Sequence, residues 1–179
     1  MARIAAVTAE RRKRRSGQNR RDRVIADFET SNAIAGNTTT HKASVTAVTD
    51  TPGKGGKLAA KTAVDPAADA SKFFGTGFRI PPVNLSAAEE IRFWIKTDIN
   101  GSFNLQIHNN DQGVSVFGFS TSNVKPGTWK RITAPVASFT KPPWAKAGVD
   151  WSGVVKCQIT AYGNGPYAGK YIMLDNVVG

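Results

Sequence analysis

The chain has 179 residues, 40% of them hydrophobic and 21% charged, with 17 glycines, one cysteine and a formal net charge of +11. That length suits roughly one domain with enough chain to bury a core. No apolar run approaches the ~18 residues of a membrane span, and a single cysteine excludes an intrachain disulfide framework and a cysteine-rich metal site.

Taken in chain order, residues 1–23 read as a basic arm. It holds Arg3, Arg11, Arg12, Lys13, Arg14, Arg15, Arg20, Arg21 and Arg23 against two acids, a net +7 that leaves +4 for residues 24–179. Residues 2–15 could form a helix with Ile4 and Val7 on one side, but that stripe is too thin to fold alone. Ser16-Gly17-Gln18-Asn19 breaks any continuation. The arm has no apolar h-region, so it is not a secretory signal. Nucleic acid, an acidic protein surface, an anionic membrane surface or solvent alone could take up such a run. Docking on neighbouring protein subunits is the expectation. No aromatic residue is interleaved in the arm, so base stacking is unsupported.

From residue 24 the pattern turns to strands. Residues 24–29 read as the first, 31–37 as a loop, and 38–48 as one long strand rich in Thr, Ser and Val. The run Pro52-Gly53-Lys54-Gly55-Gly56 is a turn before a strand over 57–64, and 65–72 is a loop or a single helical turn. A strand over 73–80 should stop at Pro81-Pro82. Residues 91–98 and 102–109 then alternate strictly: Ile91, Phe93 and Ile95 against Arg92, Trp94 and Lys96, and Phe103, Leu105 and Ile107 against Asn104, Gln106 and His108. A period of two with one apolar face marks a half-buried strand. Further strands are expected over 114–121, 131–139, 154–162 and 170–178, with a Pro- and Trp-bearing loop at 141–151. Cys157 lies within strand-like sequence, as a buried inert thiol would. Nine to ten strands without a long helix imply an all-β, two-sheet antiparallel sandwich carrying a basic, partly helical N-terminal arm.

The order of several short motifs resembles a carbohydrate-binding module of the galactose-binding-like jelly-roll type. They are Asp27-Phe28-Glu29, Thr51-Pro52-Gly53 through Gly56-Lys57-Leu58, Leu85-Ser86 before Ile91–Lys96, Gly127-Thr128-Trp129-Lys130, and Leu174-Asp175-Asn176-Val177. The resemblance covers residues 24–179 and none of the arm. It implies a jelly roll whose concave sheet face could hold a glycan with aromatic and amide side chains. By strand parity the candidates for that face are Arg92, Trp94, Asn104, Gln106 and His108, joined by Gln158 and Tyr162. The resemblance also implies a buried core position for Trp129. It further implies a structural calcium at Glu29 and Asp175, with Asp50 and backbone oxygens near Gly55.

Catalysis lacks its parts. His41 and His108 stand alone, and there is no HExxH, GxSxG or Cys/His constellation. The reading that joins a displayed sandwich, a cationic arm and no export signal is a non-catalytic structural protein of a phage-like virion. It would be a capsid decoration or a tail or fibre part, made in the host cytoplasm, anchored by its arm on neighbouring subunits and able to touch host glycans. One alternative is a glycan-binding module of an extracellular enzyme or adhesin. The other is a nucleic-acid binder acting through the arm.

Overall fold

The computed structural model describes residues 22–29, 38–39, 43–53, 56–68, 73–110, 112–163 and 165–179. The arm up to residue 21, with its expected helix, lies outside the described residues, as do His41 and Gly55. The strands are β1 (Val24–Ala26), β2 (Thr38–Thr39), β3 (Ala43–Val48), β4 (Ala59–Val64), β5 (Phe73–Val83), β6 (Glu90–Thr97), β7 (Ser102–His108), β8 (Val114–Ser120), β9 (Lys130–Pro135), β10 (Val154–Tyr162) and β11 (Tyr171–Val178). They form two antiparallel sheets. A six-stranded sheet runs β3-β4-β11-β6-β9 with β1 on β11, and a five-stranded sheet runs β2-β5-β10-β7-β8. This is the two-sheet antiparallel sandwich expected from the alternation, with the jelly-roll form that the resemblance implies.

The alternating apolar residues meet between the sheets. Ile91, Phe93 and Ile95 of β6, Phe103, Leu105 and Ile107 of β7, and Leu174 of β11 are all at most 1% exposed. Phe119 bridges the two sheets. It stacks on Phe103 at 5.3 Å and meets the Phe93 ring edge-on at 5.5 Å. One polar contact crosses the core: Thr62 Oγ1 of β4 donates to Thr76 Oγ1 of β5 at 3.0 Å. Neither hydroxyl has access to water, so each satisfies the other. Cys157 is 1% exposed, and burial pushes its thiol up to about 12, so it packs as a small apolar side chain.

Several expectations change. The run 38–48 is two strands in different sheets, β2 beside β5 and β3 beside β4. Both read as Thr- and Val-rich β sequence, and local propensity does not say where a strand leaves one sheet for the other. Strand β5 continues through Pro81 and Pro82 to Val83. The β5–β10 register slips there, between Val154 and Lys156, and a bulge tolerates the missing N–H groups. Strand β9 ends at Pro135, and a 3-10 turn follows over Val136–Ser138. Trp129 is not in the core. It is half-buried just before β9, and its Nε1 donates to Asp50 Oδ1 at 3.0 Å. Of the loop tryptophans, Trp144 is 64% exposed, whereas Trp151 meets the Phe139 ring edge-on at 5.2 Å.

Candidate functional site

The five-stranded sheet turns a polar face outward, and its register fixes the neighbours on that face. Strand β10 runs between β5 and β7. Tyr162 pairs with Phe73 and Ser102, Thr160 with Gly75 and Asn104, Gln158 with Gly77 and Gln106, and Lys156 with Arg79 and His108. Strand β8 extends the rows with Ser120, Gly118, Val116 and Val114. The intervening residues Phe103, Leu105, Ile107, Cys157, Ile159 and Ala161 line the core, so these four rows point away from it. At one end stand two exposed aromatic side chains, Phe73 (44%) and Tyr162 (40%). Amides and a hydroxyl fill the middle. A basic row closes the other end.

The central polar groups hold one another. Gln106 Nε2 and Gln158 Nε2 both donate to Thr160 Oγ1, at 3.4 and 3.3 Å. That hydroxyl accepts both bonds and carries one O–H donor of its own. Each glutamine keeps a carbonyl oxygen and a second N–H. Sugar hydroxyls need this mixture, because each is both donor and acceptor. No side chain stands at Gly75, Gly77 or Gly118 beside the amides. A Cβ at Gly118 would meet only Asn104 Oδ1, at 3.7 Å. The floor therefore stays low on the β8 flank.

The basic row has an uneven charge state. Burial, reinforced by the charge of Lys156, drives the His108 imidazole down to about 4, so it is neutral at neutral pH. Its Nε2 is buried without a hydrogen-bond partner among the described residues. Lys156 is also pushed below the usual lysine range, first by burial and then by Arg79.

The structure brings together Asn104, Gln106, His108, Gln158 and Tyr162. It separates Arg92 and Trp94 from them, because β6 belongs to the six-stranded sheet, next to β9 and β11. Arg92 is engaged there by Asp22 and, through Nε at 3.3 Å, by Glu90. Parity placed Arg92 and Trp94 correctly on an outer face, but on the opposite side of the sandwich. The sequence reading missed Phe73, Arg79, Lys156 and Thr160. The parity of Gln158 and Tyr162 already implies Lys156 and Thr160. Phe73 and Arg79 sit in the stretch Phe-Phe-Gly-Thr-Gly-Phe-Arg, which shows no alternation.

A second cluster lies on the outer side of the six-stranded sheet. Asp175 is fully buried; its Oδ1 accepts from Asn176 N at 2.7 Å, and its Oδ2 has no partner among the described residues. Glu29 comes beside it, accepting from Lys57 N at 2.9 Å on both oxygens. A Cβ on Gly56 would lie 3.2 Å from both Asp175 Oδ2 and Glu29 Oε1, so a side chain there would crowd both carboxylates. Phe28 and Asn176 hold positive φ angles of 59° and 49° next to these acids. For a buried phenylalanine that conformation is costly, and it aims Asp27 and Glu29 at the cluster. Asp50, the third expected calcium ligand, is elsewhere. It binds Lys96 Nζ at 2.5 Å and Trp129, and these bonds hold its carboxyl below the usual range. The orphaned Asp175 oxygen and Glu29 suit a hard cation. However, among the described residues no group of three or more His, Cys, Asp or Glu side chains is placed to hold a metal ion.

Known structures share the sandwich. A family 11 carbohydrate-binding module from Clostridium thermocellum, solved with a β-1,3-1,4-mixed-linked tetrasaccharide, aligns with a TM-score of 0.60 at 20% identity, over 88% of this chain and 94% of that one. A family 30 carbohydrate-binding module of a cellulosomal cellulase from the same organism aligns with a TM-score of 0.58 at 14% identity, over 88% and 96%. An exo-β-agarase aligns with a TM-score of 0.62 at 15% identity over 87% of this chain, which spans only 24% of the agarase. These likenesses establish the fold. No protein-family model matches the sequence, and no curated protein matches it significantly.

Proposed function

We propose that residues 24–179 are a non-catalytic glycan-binding module whose site is the outer face of the five-stranded sheet, with residues 1–23 as an appended arm. The observation that carries this reading is the register of β5, β10, β7 and β8. It sets Gln158 beside Gln106 and Thr160 beside Asn104, with Tyr162 and Phe73 exposed at the end of the same strands. Aromatic rings receive the apolar C–H face of a pyranose, and the amides meet its hydroxyls. The sixteen positions of the four rows include no carboxylate. Hydrolysis of a glycoside would need a pair of them. Binding of oligosaccharide by a structural neighbour of nearly the same extent agrees with the reading. Such a module works where polysaccharide is, outside the cell or on the exterior of a particle.

Display on a phage-like virion and nucleic-acid binding both rest on the arm, which lies almost wholly outside the described residues. No structural observation favours either over the glycan reading. A structural calcium, where bound, would be held by Glu29 and Asp175 and would supply charge neutralisation between β1 and β11.

The test titrates the full chain with a panel of soluble neutral and acidic polysaccharides by calorimetry. At least one should bind, and Gln106→Ala with Gln158→Ala should weaken it by about tenfold or more, as expected for losing one or two hydrogen bonds to ligand. Binding to none, or binding indifferent to these substitutions, overturns the proposal.

A further inference from the structure

The basic row of the five-stranded face has a property that neutral sugar recognition does not require. Arg79 and Lys156 are register partners on adjacent strands. Neighbouring strands lie about 4.8 Å apart, so both cations can reach a single anion placed between them. On the six-stranded sheet the cations of β4 and β6 are engaged within the protein, whereas among the described residues no carboxylate pairs with Lys130 or Arg131 of β9. Arg92 pairs with Asp22 and Glu90, Lys96 with Asp50, and Lys61 lies 5.0 Å from the centre of the Tyr171 ring. Among the described residues no carboxylate pairs with Arg79 or Lys156. No acid occupies any of the sixteen positions of the four rows.

We infer that this face takes an acidic glycan, with a carboxylate or sulfate of the ligand seated between Arg79 and Lys156 and its sugar rings over the adjoining amide rows. The inference rests on the glycan-binding reading above and names the class of ligand. The geometry matches: the Gln158–Gln106 row begins two residues along each strand from the Arg79–Lys156 row, about 6.6 Å away. A ring lying on the amides therefore carries its anionic substituent to the cation pair. The pair also gains from such a ligand. Burial and the nearness of Arg79 disfavour the charged form of Lys156, and an anion between the two reverses that repulsion. His108, kept neutral at the end of the row, adds no further cation. Among the sixteen positions of the four rows, Arg79 and Lys156 are therefore the cations that an anionic substituent meets.

The arm also attracts polyanions, so the test must separate the two. The full chain is titrated at 0.15 M salt with alginate (carboxylate), a carrageenan (sulfate) and a neutral mixed-linked β-glucan. The comparison variants are Arg79→Gln/Lys156→Gln on the face, and Arg11→Gln/Arg12→Gln/Arg14→Gln/Arg15→Gln in the arm. Both variants are first shown to melt as the parent does. The expected result is at least one acidic polymer bound about tenfold or more tightly than the neutral one. That preference should vanish in the face variant and persist in the arm variant. Whichever of alginate or carrageenan is preferred identifies the anion. Equal or tighter binding of the neutral glucan overturns this inference and leaves the glycan-binding reading intact. So does a preference that disappears with the arm variant instead of the face variant. Absence of binding to all three polymers overturns both.

Discussion

Substituting Asp175 by asparagine should stabilise the fold in chelator, and the gain should depend on pH in a defined way. Burial first, then the charges of Glu29 and Asp27, raise the Asp175 carboxyl from its ordinary 3.8 to about 6, while the Asn176 N–H acts in the other direction. At about 1.4 kcal/mol per pK unit, ionising Asp175 costs the folded state about 3 kcal/mol more than the unfolded chain. Below pH 3.8 both states are protonated and the cost is absent. It accrues as pH rises from 3.8 to 6 and is complete above that. Asparagine keeps the acceptor for Asn176 N without the buried charge. In EDTA at pH 7.5, Asp175→Asn should therefore raise Tm by roughly 6–12 °C, taking 2–4 °C per kcal/mol for a chain of this size. The advantage should shrink through pH 6 and be gone near pH 3.5. Comparing variant with parent at each pH cancels His108, which acts oppositely: its depressed pKa favours folding above pH 6.5, an advantage lost as pH falls toward 4. Calcium, where bound there, would raise the parent's Tm at pH 7.5 and leave the variant unmoved, because only an ionised carboxylate is a strong ligand. Thermal melts by circular dichroism from pH 3.5 to 8, with and without calcium, make the measurement. A variant no more stable than the parent at pH 7.5 in EDTA, or a difference flat with pH, refutes the reasoning.

Three further outcomes follow from the packing and the site. Thr62→Val alone should cost about 1–3 kcal/mol in chemical denaturation, because it leaves the Thr76 hydroxyl buried without its partner. Thr62→Val with Thr76→Val should recover most of that loss, and a double variant at least as unstable as the single one counts against a mutual bond. Gly118→Leu places a side chain beside Asn104 on the exposed edge strand, so it should abolish glycan binding in calorimetry while leaving Tm within about 2 °C of the parent; retained affinity would place the ligand elsewhere. Cys157, with its thiol pushed up to about 12, should not react with a thiol reagent at pH 8 until the protein is unfolded, and rapid labelling of the native chain would contradict its burial.

Much of this architecture is legible in the sequence because strand alternation is a local property. The period of two in Ile91–Lys96 and Ser102–His108 assigns each side chain to core or surface, and the burial pattern follows it residue by residue. Cys157 inside β10 was readable for the same reason. That Glu29 and Asp175 come together was implied by the resemblance carried by the motifs around Asp27, Gly56 and Asp175, and not by any local pattern. Asp50 was not readable, because Lys96 and Trp129 compete for it and neither is near it in sequence.

What the alternation cannot carry is the sheet to which a strand belongs. Residues 98–101 take the chain from β6 in one sheet to β7 in the other, and β2 and β3, consecutive in the chain, likewise belong to different sheets. A hairpin turn and a crossover can have similar lengths and similar turn residues. The choice is made by which apolar faces close the core, and that is a property of the whole sandwich. The sequence alone therefore determined that Arg92, Trp94, Asn104, Gln106 and His108 point outward. Only the tertiary structure divided them between two opposite faces. It also set Arg79 beside Lys156 and gathered the amides around Thr160, because those pairings join residues on strands far apart in the chain.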